Sequence, residues 1–420
     1  MSEIIIKPNG KLNGNIKISG SKNASLPIMA ACLLNNGKTR LFNVPDLSDI
    51  NTMCILLEET GAIVLHEKNY IEIDSENISN HCSDYNLANK LRGSFLISGP
   101  LLARLGKVKI PLPGGCPIGT RPIDLHLKGF SLLGADISQC HGYVELKAKR
   151  LKGKKIYLDF PSVGATENIK MAASLAHGTT IIENAATEPE ISDLADFLNK
   201  QGAKITGAGS DTVMIDGVDS LTSVSHTVIP DRIEAGTFLL AFAITGGTGK
   251  ISNINCEHIK PVAAKLMEMG IKLKCHDDFI DIDATKPLHT ADIKTLPFPG
   301  FPTDMQAPFS ALMSISKGTG IVTETVFENR FLHMNELNRM GAKIKIDGRT
   351  SVIEGVKNLT GAHVNAMDLR GGAALVLAGL VANGETRITG VEHIKRGYEN
   401  LTGKLRSLGA DIEVFHQKGQ

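Results

Sequence analysis

One helix-ending pattern occurs six times along the chain, and this repetition constrains the fold more than any other feature. Each copy has a Leu, or in one copy a Phe, four residues before a Gly that precedes a short β-prone run. The Gly is typical of a helix C-terminus and the run of a strand. The copies are LLEETGAIV (56–64), FSLLGADI (130–137), FLNKQGAKI (197–205), LMEMGIKL (266–273), LNRMGAKI (337–344) and LRSLGADI (405–412).

An apolar helical stretch lies upstream of each copy and also ends at a Gly before a β-prone run. Each unit is therefore predicted to contain helix, strand, helix and strand, with more strand following. The units are too long and too mixed for an ankyrin or tetratricopeptide solenoid. Six such units in 420 residues favour a pseudo-symmetric α/β assembly of two or three domains. Periodicity alone does not establish whether the assembly closes.

The second unit differs from the others. Its stretch from Gly106 to Gly134 is roughly four residues longer, and the extra length falls in the loop Pro-Gly-Gly-Cys-Pro-Ile-Gly-Thr-Arg at 113–121. Gly and Pro exclude a regular helix around Cys116 and offer no apolar face on which to bury it. Exposure and the nearby charge of Arg121 favour the reactive thiolate over a buried structural cysteine.

Composition excludes several classes of function. The net charge of +1 provides no overall attraction to nucleic acid or to an anionic membrane. Seven cysteines, an odd number without a CxxC pair, argue against a disulfide framework and a zinc site, and for a reducing compartment. The first residues do not resemble a signal peptide, and no segment reaches the ~20 apolar residues of a spanning helix. The predicted location is the cytoplasm.

Eight segments together resemble one enzyme family. They are SGSKNASLPIMAA (19–31), PLPGGCPIGTRPIDLH (111–126), PSVGATENI (161–169), PDRIEAGTF (230–238), FPTDMQAPF (301–309), TETVFENRFLH (323–333), DLRGGAALVLAGL (368–380) and HIKRGYENL (393–401). In order and spacing they resemble the UDP-N-acetylglucosamine 1-carboxyvinyltransferases, the enolpyruvyl transferases that carry out the first committed step of peptidoglycan synthesis.

The resemblance implies a two-domain inside-out α/β barrel built from six βαβαββ repeats, with the active site in the inter-domain cleft. The expected domains are 22–229, with three repeats and the Cys116 loop, and 1–21 together with 230–420, with the other three. The implied reaction adds the 3′-hydroxyl of UDP-N-acetylglucosamine to C2 of phosphoenolpyruvate and a proton to C3, and phosphate then leaves. Such an addition–elimination needs an acid, a base and cations, but no metal or other cofactor.

The resemblance also assigns residues. Cys116 is the expected proton donor, covalent site for phosphoenolpyruvate and target of fosfomycin, Asp304 the expected base, and Lys22 and Arg396 further catalytic residues. The expected substrate-binding residues are Lys22, Asn23, Arg92, Arg121, Pro122, Ile123, Asp124, Leu125, Ser162, Val163, Gly164, Asp304, Val326, Arg330, Arg370 and Arg396. Arginine suits these anions because it binds them through two parallel hydrogen bonds.

Alternatives remain at individual positions and for the whole chain. Asp304 and Ser162 are also suited to capping a helix, and His126 to a plain hydrogen bond or to a contact with the nucleotide. Phe160 stands where some relatives carry Lys, which puts a charged contact there in doubt. The acceptor could be shikimate 3-phosphate, or the chain a silent UDP-sugar-binding paralogue. The Cys116 loop and the Arg-Pro-Ile-Asp-Leu segment at 121–125 favour the UDP-sugar, and the presence of Lys22, Cys116 and Asp304 favours an active enzyme.

Overall fold

A computed structural model describes residues 2–85, 87, 91–112 and 123–416. Its α-helices are Lys22–Ala31 (α1), Ser48–Glu59 (α2), Ser98–Leu105 (α3), Asp124–Leu132 (α4), Val163–Ala173 (α5), Pro189–Lys200 (α6), Arg232–Thr245 (α7), Cys256–Glu268 (α8), Gln306–Met313 (α9), Leu332–Arg339 (α10), Leu369–Gly379 (α11), Val391–Ile394 (α12) and Leu401–Ser407 (α13). Short 3₁₀ helices cover Cys32–Leu34, Arg92–Ile97 and Thr303–Met305.

The strands are short and alternate with the helices. They are Ser2–Lys7 (β1), Asn13–Lys17 (β2), Lys38–Val44 (β3), Ile63–Glu67 (β4), Asn69–Asp74 (β5), Lys107–Pro111 (β6), Asp136–Cys140 (β7), Tyr143–Lys147 (β8), Lys155–Tyr157 (β9), Thr179–Glu183 (β10), Lys204–Thr206 (β11), Thr212–Asp216 (β12), Ser225–Thr227 (β13), Thr248–Ser252 (β14), Lys272–Cys275 (β15), Phe279–Asp283 (β16), Ile293–Lys294 (β17), Thr319–Thr323 (β18), Lys343–Asp347 (β19), Thr350–Glu354 (β20), His363–Asn365 (β21), Thr386–Thr389 (β22) and Asp411–His416 (β23).

The glycines of the repeated pattern all adopt a left-handed backbone conformation. Their φ angles lie between 88° and 104°, a region that residues with a Cβ rarely occupy. The predicted helix ends are thereby confirmed, since each glycine turns the chain from a helix into the next strand. These residues are Gly61, Gly134, Gly202, Gly270, Gly341 and Gly409.

The described strands form six sheets with a common order. Five have four strands, in the orders β13-β3-β5-β4, β11-β12-β10-β9, β15-β16-β14-β2, β17-β18-β20-β19 and β21-β22-β1-β23. In each, an outer strand runs parallel to its neighbour, and the remaining pairs are antiparallel. The sixth sheet is β6-β8-β7, and a single parallel bridge from Cys82 to Lys109 occupies the position of its outer strand.

The two ends of the chain meet in one sheet. Strand β1 is antiparallel to both β22 and β23, with Ile4 opposite Ile388 and Val414. The first strand therefore completes the last repeat, because β23 and β1 take the places that a hairpin fills in the other sheets. Closure of the repeats into an inside-out barrel stays a prediction.

The described residues divide into two compact units, each with its own apolar core. The central unit comprises the described residues between 20 and 229, and the terminal unit comprises residues 2–19 and 230–416. Helices buried on nearly every side form the middle of each core: every residue from Ala24 to Ala31 in α1 and from Ile233 to Thr245 in α7 is buried. Helices such as α6 are amphipathic and bury only one face, with Leu194 and Phe197 inward.

Candidate functional site

The predicted site residues fall on both units. The central unit contains Lys22, Asn23, Ile123, Asp124, Leu125, Ser162, Val163 and Gly164. The terminal unit contains Asp304, Val326, Arg330, Arg370 and Arg396. Cys116, Arg121 and Pro122 lie outside the described residues, and only the backbone of Arg92 is described.

Lys22 is the first residue of α1 and is held by a carboxylate. The Ser21 hydroxyl caps the helix by accepting a hydrogen bond from the Ala24 amide at 3.3 Å. The Lys22 ammonium lies 3.2 Å from an Asp49 oxygen, and the two side chains are only 12% and 7% exposed. Asn23 is half-buried beside it. A cation at a helix N-terminus combines with the local dipole to form an anion-binding environment.

Three further predicted residues form the start of α5. Ser162 has an extended backbone, and its hydroxyl accepts a hydrogen bond from the Ala165 amide at 3.4 Å, so it is a helix cap. Val163 and Gly164 follow as the first helical residues and are half-buried. Their early position also suits them to an anionic ligand, so capping and binding are compatible.

His126 packs against this helix start in its neutral form. The Gly99 amide donates to Asn168 Oδ1 at 2.8 Å, which fixes the Asn168 amide and directs its nitrogen to His126 Nδ1 at 3.1 Å. Nδ1 therefore accepts, and Nε2 carries the proton. A Cβ on Gly164 would approach Nε2 to 3.3 Å, so the missing side chain makes room for the ring. Burial lowers the pKa of His126 to about 4.

The neighbouring segment at the start of α4 is more open. Ile123 precedes the helix and is half-buried, as is Leu125, whereas Asp124 in its first turn is exposed. Phe160 is 45% exposed.

Asp304 lies between two arginines of the terminal unit. Arg330 Nη2 donates to Oδ1 at 2.7 Å, while Arg370 donates to Oδ2 from Nη2 at 2.8 Å and from Nε at 3.2 Å. The Asp304 side chain caps no helix; it belongs to the 3₁₀ turn Thr303–Met305, whose cap has no side-chain bond. The alternative of an ordinary helix cap is therefore wrong for Asp304.

The two arginines determine the charge of this carboxyl group. Burial by itself raises the pKa of Asp304, but the Arg370 and Arg330 charges outweigh burial and hold that pKa well below its usual range. Asp304 is therefore a stable carboxylate that accepts hydrogen bonds well but takes up a proton weakly.

Arg370 is fixed from several sides. It is the second residue of α11, and its amide donates to the carboxylate of the capping residue Asp368 at 2.9 Å. The side chain is 2% exposed and its guanidinium carbon lies 5.1 Å from the Tyr398 ring centre. Within the described part of the chain, the buried Nη1 of Arg370 and Nε of Arg330 have no hydrogen-bond partner.

Val326 and Arg396 lie elsewhere in the terminal unit. The Val326 amide, half-buried, donates to a Glu324 oxygen at 2.8 Å. Arg396 follows α12 and is half-buried. Among the predicted residues of this unit, Arg330 and Arg370 both contact Asp304 directly.

Sequence reasoning missed several residues of these clusters. Asp49 is 27 positions from Lys22, and Asn168 is 42 positions from His126. Glu324 lies within the segment TETVFENRFLH (323–333), but nothing in that segment distinguishes it from its neighbours. The repeat provides a signal for Glu324, because this residue lies at a strand end where four other repeats have Asn or Gly.

The described residues also bear on the expectations about metal ions and membrane spans. No group of three or more potential ligands there could hold a metal ion. No described helix is long and apolar enough to cross a membrane.

Comparison with known proteins gives the family. Residues 6–405 match the family model of EPSP synthase (3-phosphoshikimate 1-carboxyvinyltransferase). The chain is 55% identical over 413 residues to UDP-N-acetylglucosamine 1-carboxyvinyltransferase 1 of Caldanaerobacter subterraneus subsp. tengcongensis, covering 98% of this chain and 99% of the relative. The chain belongs to the enolpyruvyl transferase family. A second UDP-N-acetylglucosamine 1-carboxyvinyltransferase, from Clostridium tetani, is 55% identical over 416 residues, with the same coverage.

Solved enolpyruvyl transferases have the same fold. NikO from Streptomyces tendae superimposes with a TM-score of 0.88 at 25% identity, over 98% of each chain. EPSP synthase from Acinetobacter baumannii gives a TM-score of 0.77 at 20% identity, over 99% of this chain and 100% of the other. The predicted α/β class is thereby confirmed.

Proposed function

We propose that this enolpyruvyl transferase moves the enolpyruvyl group of phosphoenolpyruvate to the 3′-hydroxyl of UDP-N-acetylglucosamine and releases phosphate. The observation that carries the proposal is the 50–55% identity, over 98% of the chain, to several proteins that bear this name. The product is the first committed intermediate of peptidoglycan synthesis, and the proposed location is the cytoplasm. The free thiols of the described cysteines, among them Cys32 and Cys54, are compatible with a reducing compartment.

The two described units are the proposed globules of the enzyme, with boundaries near Lys22 and Pro230. The predicted residues are divided between these units, and the reaction is proposed to need both sets. Lys22, Asn23, Arg121 and Arg396 bind phosphoenolpyruvate, and Arg92 assists with either substrate. The segments 121–125 and 162–164, together with Val326, bind the sugar nucleotide. His126 supports this binding as a neutral Nε2–H donor beside Gly164.

Asp304 is proposed to act on the sugar hydroxyl. A carboxylate with a lowered pKa is a poor base toward an unactivated alcohol, since base catalysis is most efficient when the pKa lies near the working pH. Asp304 therefore first accepts the hydroxyl's hydrogen bond and orients its oxygen toward C2. It takes the proton only as the new C–O bond makes the hydroxyl strongly acidic. Arg330 and Arg370 hold the carboxylate in place and keep it ionised.

The remaining proton transfer occurs at C3. Cys116 is proposed to give a proton to C3 during addition, which makes C2 electrophilic. The Cys116 thiolate then takes a proton back from C3, the C2–phosphate bond breaks and the vinyl group is restored. The cationic side chains of Lys22 and Arg396 stabilise the leaving phosphate. The same thiol is the proposed point of attack on the epoxide of fosfomycin.

The test is a phosphate-release assay with phosphoenolpyruvate and either UDP-N-acetylglucosamine or shikimate 3-phosphate. We expect release only with the UDP-sugar, together with a product heavier by the mass of the enolpyruvyl group. Asp304→Asn is the matched inactive control, because it keeps the shape and removes the charge. Turnover with shikimate 3-phosphate alone would show that the acceptor assignment is wrong. Binding of the UDP-sugar without turnover would support the silent paralogue.

A further inference from the structure

Four repeats share a turn at the end of their second strand, the strand that pairs in parallel with the outer one. Asn43, Asn184 and Asn253 occupy this turn in three repeats with left-handed φ angles of 58°, 54° and 58°. Each side-chain nitrogen donates to the main-chain carbonyl that follows the outer strand, at 2.8, 2.7 and 2.6 Å. In a fourth repeat Gly390 occupies the turn, with φ of 72°.

The repeat containing β17 and β18 departs from this arrangement at two positions. At the turn it carries Glu324, which is not among the residues with positive φ. The residue after the outer strand is Thr295, which is fully buried, whereas the four repeats just described have an apolar residue there. These five positions are structurally equivalent, because the amide at each one donates to a carbonyl of the second strand at 2.9–3.0 Å. The residues are Ile18, Leu158, Val228, Ala366 and Thr295.

The two departures compensate each other. Glu324 is 0% exposed, and its Oε1 accepts from Thr295 Oγ1 at 2.8 Å and from the amides of Val326 and Phe327 at 2.8 and 3.1 Å. Its Oε2 accepts from Thr303 Oγ1 at 2.9 Å. A buried carboxylate needs such donors, and an apolar residue at position 295 would remove one of them.

The same carboxylate leads directly to Asp304. Thr303 has one hydroxyl proton and donates it to Glu324, which leaves its lone pairs for Arg330 Nη1 at 2.9 Å. Arg330 Nη2 in turn donates to Asp304 at 2.7 Å. One side of Glu324 therefore fixes the main chain at Val326, and the other fixes the orientation of the Arg330 guanidinium against Asp304.

We propose that Glu324 is a positioning residue that aligns the Asp304 carboxylate with the Val326 segment. This inference rests on the proposed roles of Asp304 and Val326. In the repeat that carries Asp304 and Val326, Glu324 stands at the turn where three other repeats have Asn. This substitution distinguishes that repeat from the ones that keep the Asn turn. Glu324 touches no substrate; it acts through Thr303 and the two main-chain amides.

The test separates the two sides of Glu324. Glu324→Gln keeps the shape of the side chain but replaces one acceptor oxygen by a donor NH2 group. In either orientation this group faces another donor, either the Thr303 hydroxyl or the donors around Val326. We expect kcat to fall at least ten-fold and KM for UDP-N-acetylglucosamine to rise several-fold, with KM for phosphoenolpyruvate changed less than two-fold. Thr303→Val breaks only the Arg330 side and should lower kcat with little change in either KM. Thr303→Ser retains the hydroxyl and should restore most of kcat.

Asn253→Gly is the matched control, since it removes the equivalent turn bond in another repeat while tolerating the positive φ. It should lower the melting temperature without altering kcat or either KM. The inference is overturned if Glu324→Gln keeps wild-type kinetics, or if Thr303→Val affects only the melting temperature. If Glu324→Gln does not fold, the comparison of Thr303→Val with Thr303→Ser decides. A wild-type protein without UDP-sugar turnover would instead refute the proposed function.

Discussion

The Arg370 guanidinium donates two hydrogen bonds to one oxygen of Asp304, from Nη2 at 2.8 Å and from Nε at 3.2 Å. Its charge and that of Arg330 keep Asp304 ionised, because they outweigh the burial that would raise the carboxyl pKa. Burial disfavours the charged form of Arg370, but Asp304 more than compensates and raises the pKa of the guanidinium. The charge on each partner thus stabilises the charge on the other.

Removing the charge of Arg330 should shift the acid limb of the pH–rate profile. In Arg330→Gln, the pKa of Asp304 rises because one of its two cations is gone, so protonation begins at a higher pH. The acid limb of kcat should therefore move upward, with a loss at neutral pH of about 1–3 kcal/mol in transition-state terms. The measurement is phosphate release at saturating substrates from pH 4 to 9. Arg330→Lys retains the charge and should keep the acid limb; equal shifts in both variants would contradict the electrostatic explanation.

Glu234 should make stability depend on pH near neutrality. Burial raises its pKa from 4.5 to about 7, although Lys404 lies 2.5 Å away and the Ser19 amide donates to it at 2.7 Å. Between these values the folded protein keeps a proton that the unfolded chain has released. Raising the pH through this window therefore lowers the free energy of unfolding, by up to about 3 kcal/mol.

Glu234→Gln remains neutral at every pH and should remove this decline. Urea denaturation at pH 5, 6, 7 and 8 measures it, with the wild type losing stability across the series and the variant losing less. Glu268→Gln, a change at a solvent-exposed position, is the control and should follow the wild type. Parallel profiles for the wild type and Glu234→Gln would show that Glu234 does not titrate in this window.

His126 should stay neutral throughout the physiological range. Because burial lowers its pKa to about 4, the ring Cε1–H resonance should show no inflection between pH 8 and 5. Asn168→Asp would place a negative charge beside Nδ1 and should raise the midpoint toward neutrality. Proton NMR of both proteins, with the signal assigned by loss in His126→Gln, provides the measurement. A wild-type midpoint near 6.5 would refute neutral binding by this ring.

The sequence predicts the framework well because local chemistry determines it. The left-handed glycines, such as Gly61 and Gly409, follow from a pattern of eight or nine residues, and the helix cap at Ser162 needs only the residues after it. The contacts of the site are different in kind. Thr295 meets Glu324 because β17 pairs in parallel with β18, and no rule of spacing gives that pairing. The two arginines on Asp304 lie 26 and 66 positions away, where single-sequence reasoning can name candidates but not partners.

Cys116 provides the sharpest test of the proposed chemistry, although it lies outside the described residues. The thiol is proposed both to donate a proton to C3 and to be alkylated by fosfomycin, and these roles need different properties. A carboxylic acid can donate the proton but forms no stable thioether with an epoxide. Cys116→Asp should therefore keep measurable turnover and resist fosfomycin. Its pH optimum should be lower than that of the wild type, since a carboxylic acid loses its proton well below a thiol.

Cys116→Ser separates acidity from size. A hydroxyl is nearly isosteric with a thiol but far too weak an acid to protonate C3, so this variant should be almost inactive at every pH. Phosphate release across pH, with and without the epoxide, compares the wild type with both variants. Epoxide inactivation of Cys116→Asp would place the alkylated residue elsewhere. Wild-type turnover by Cys116→Ser would mean that C3 receives its proton from another group.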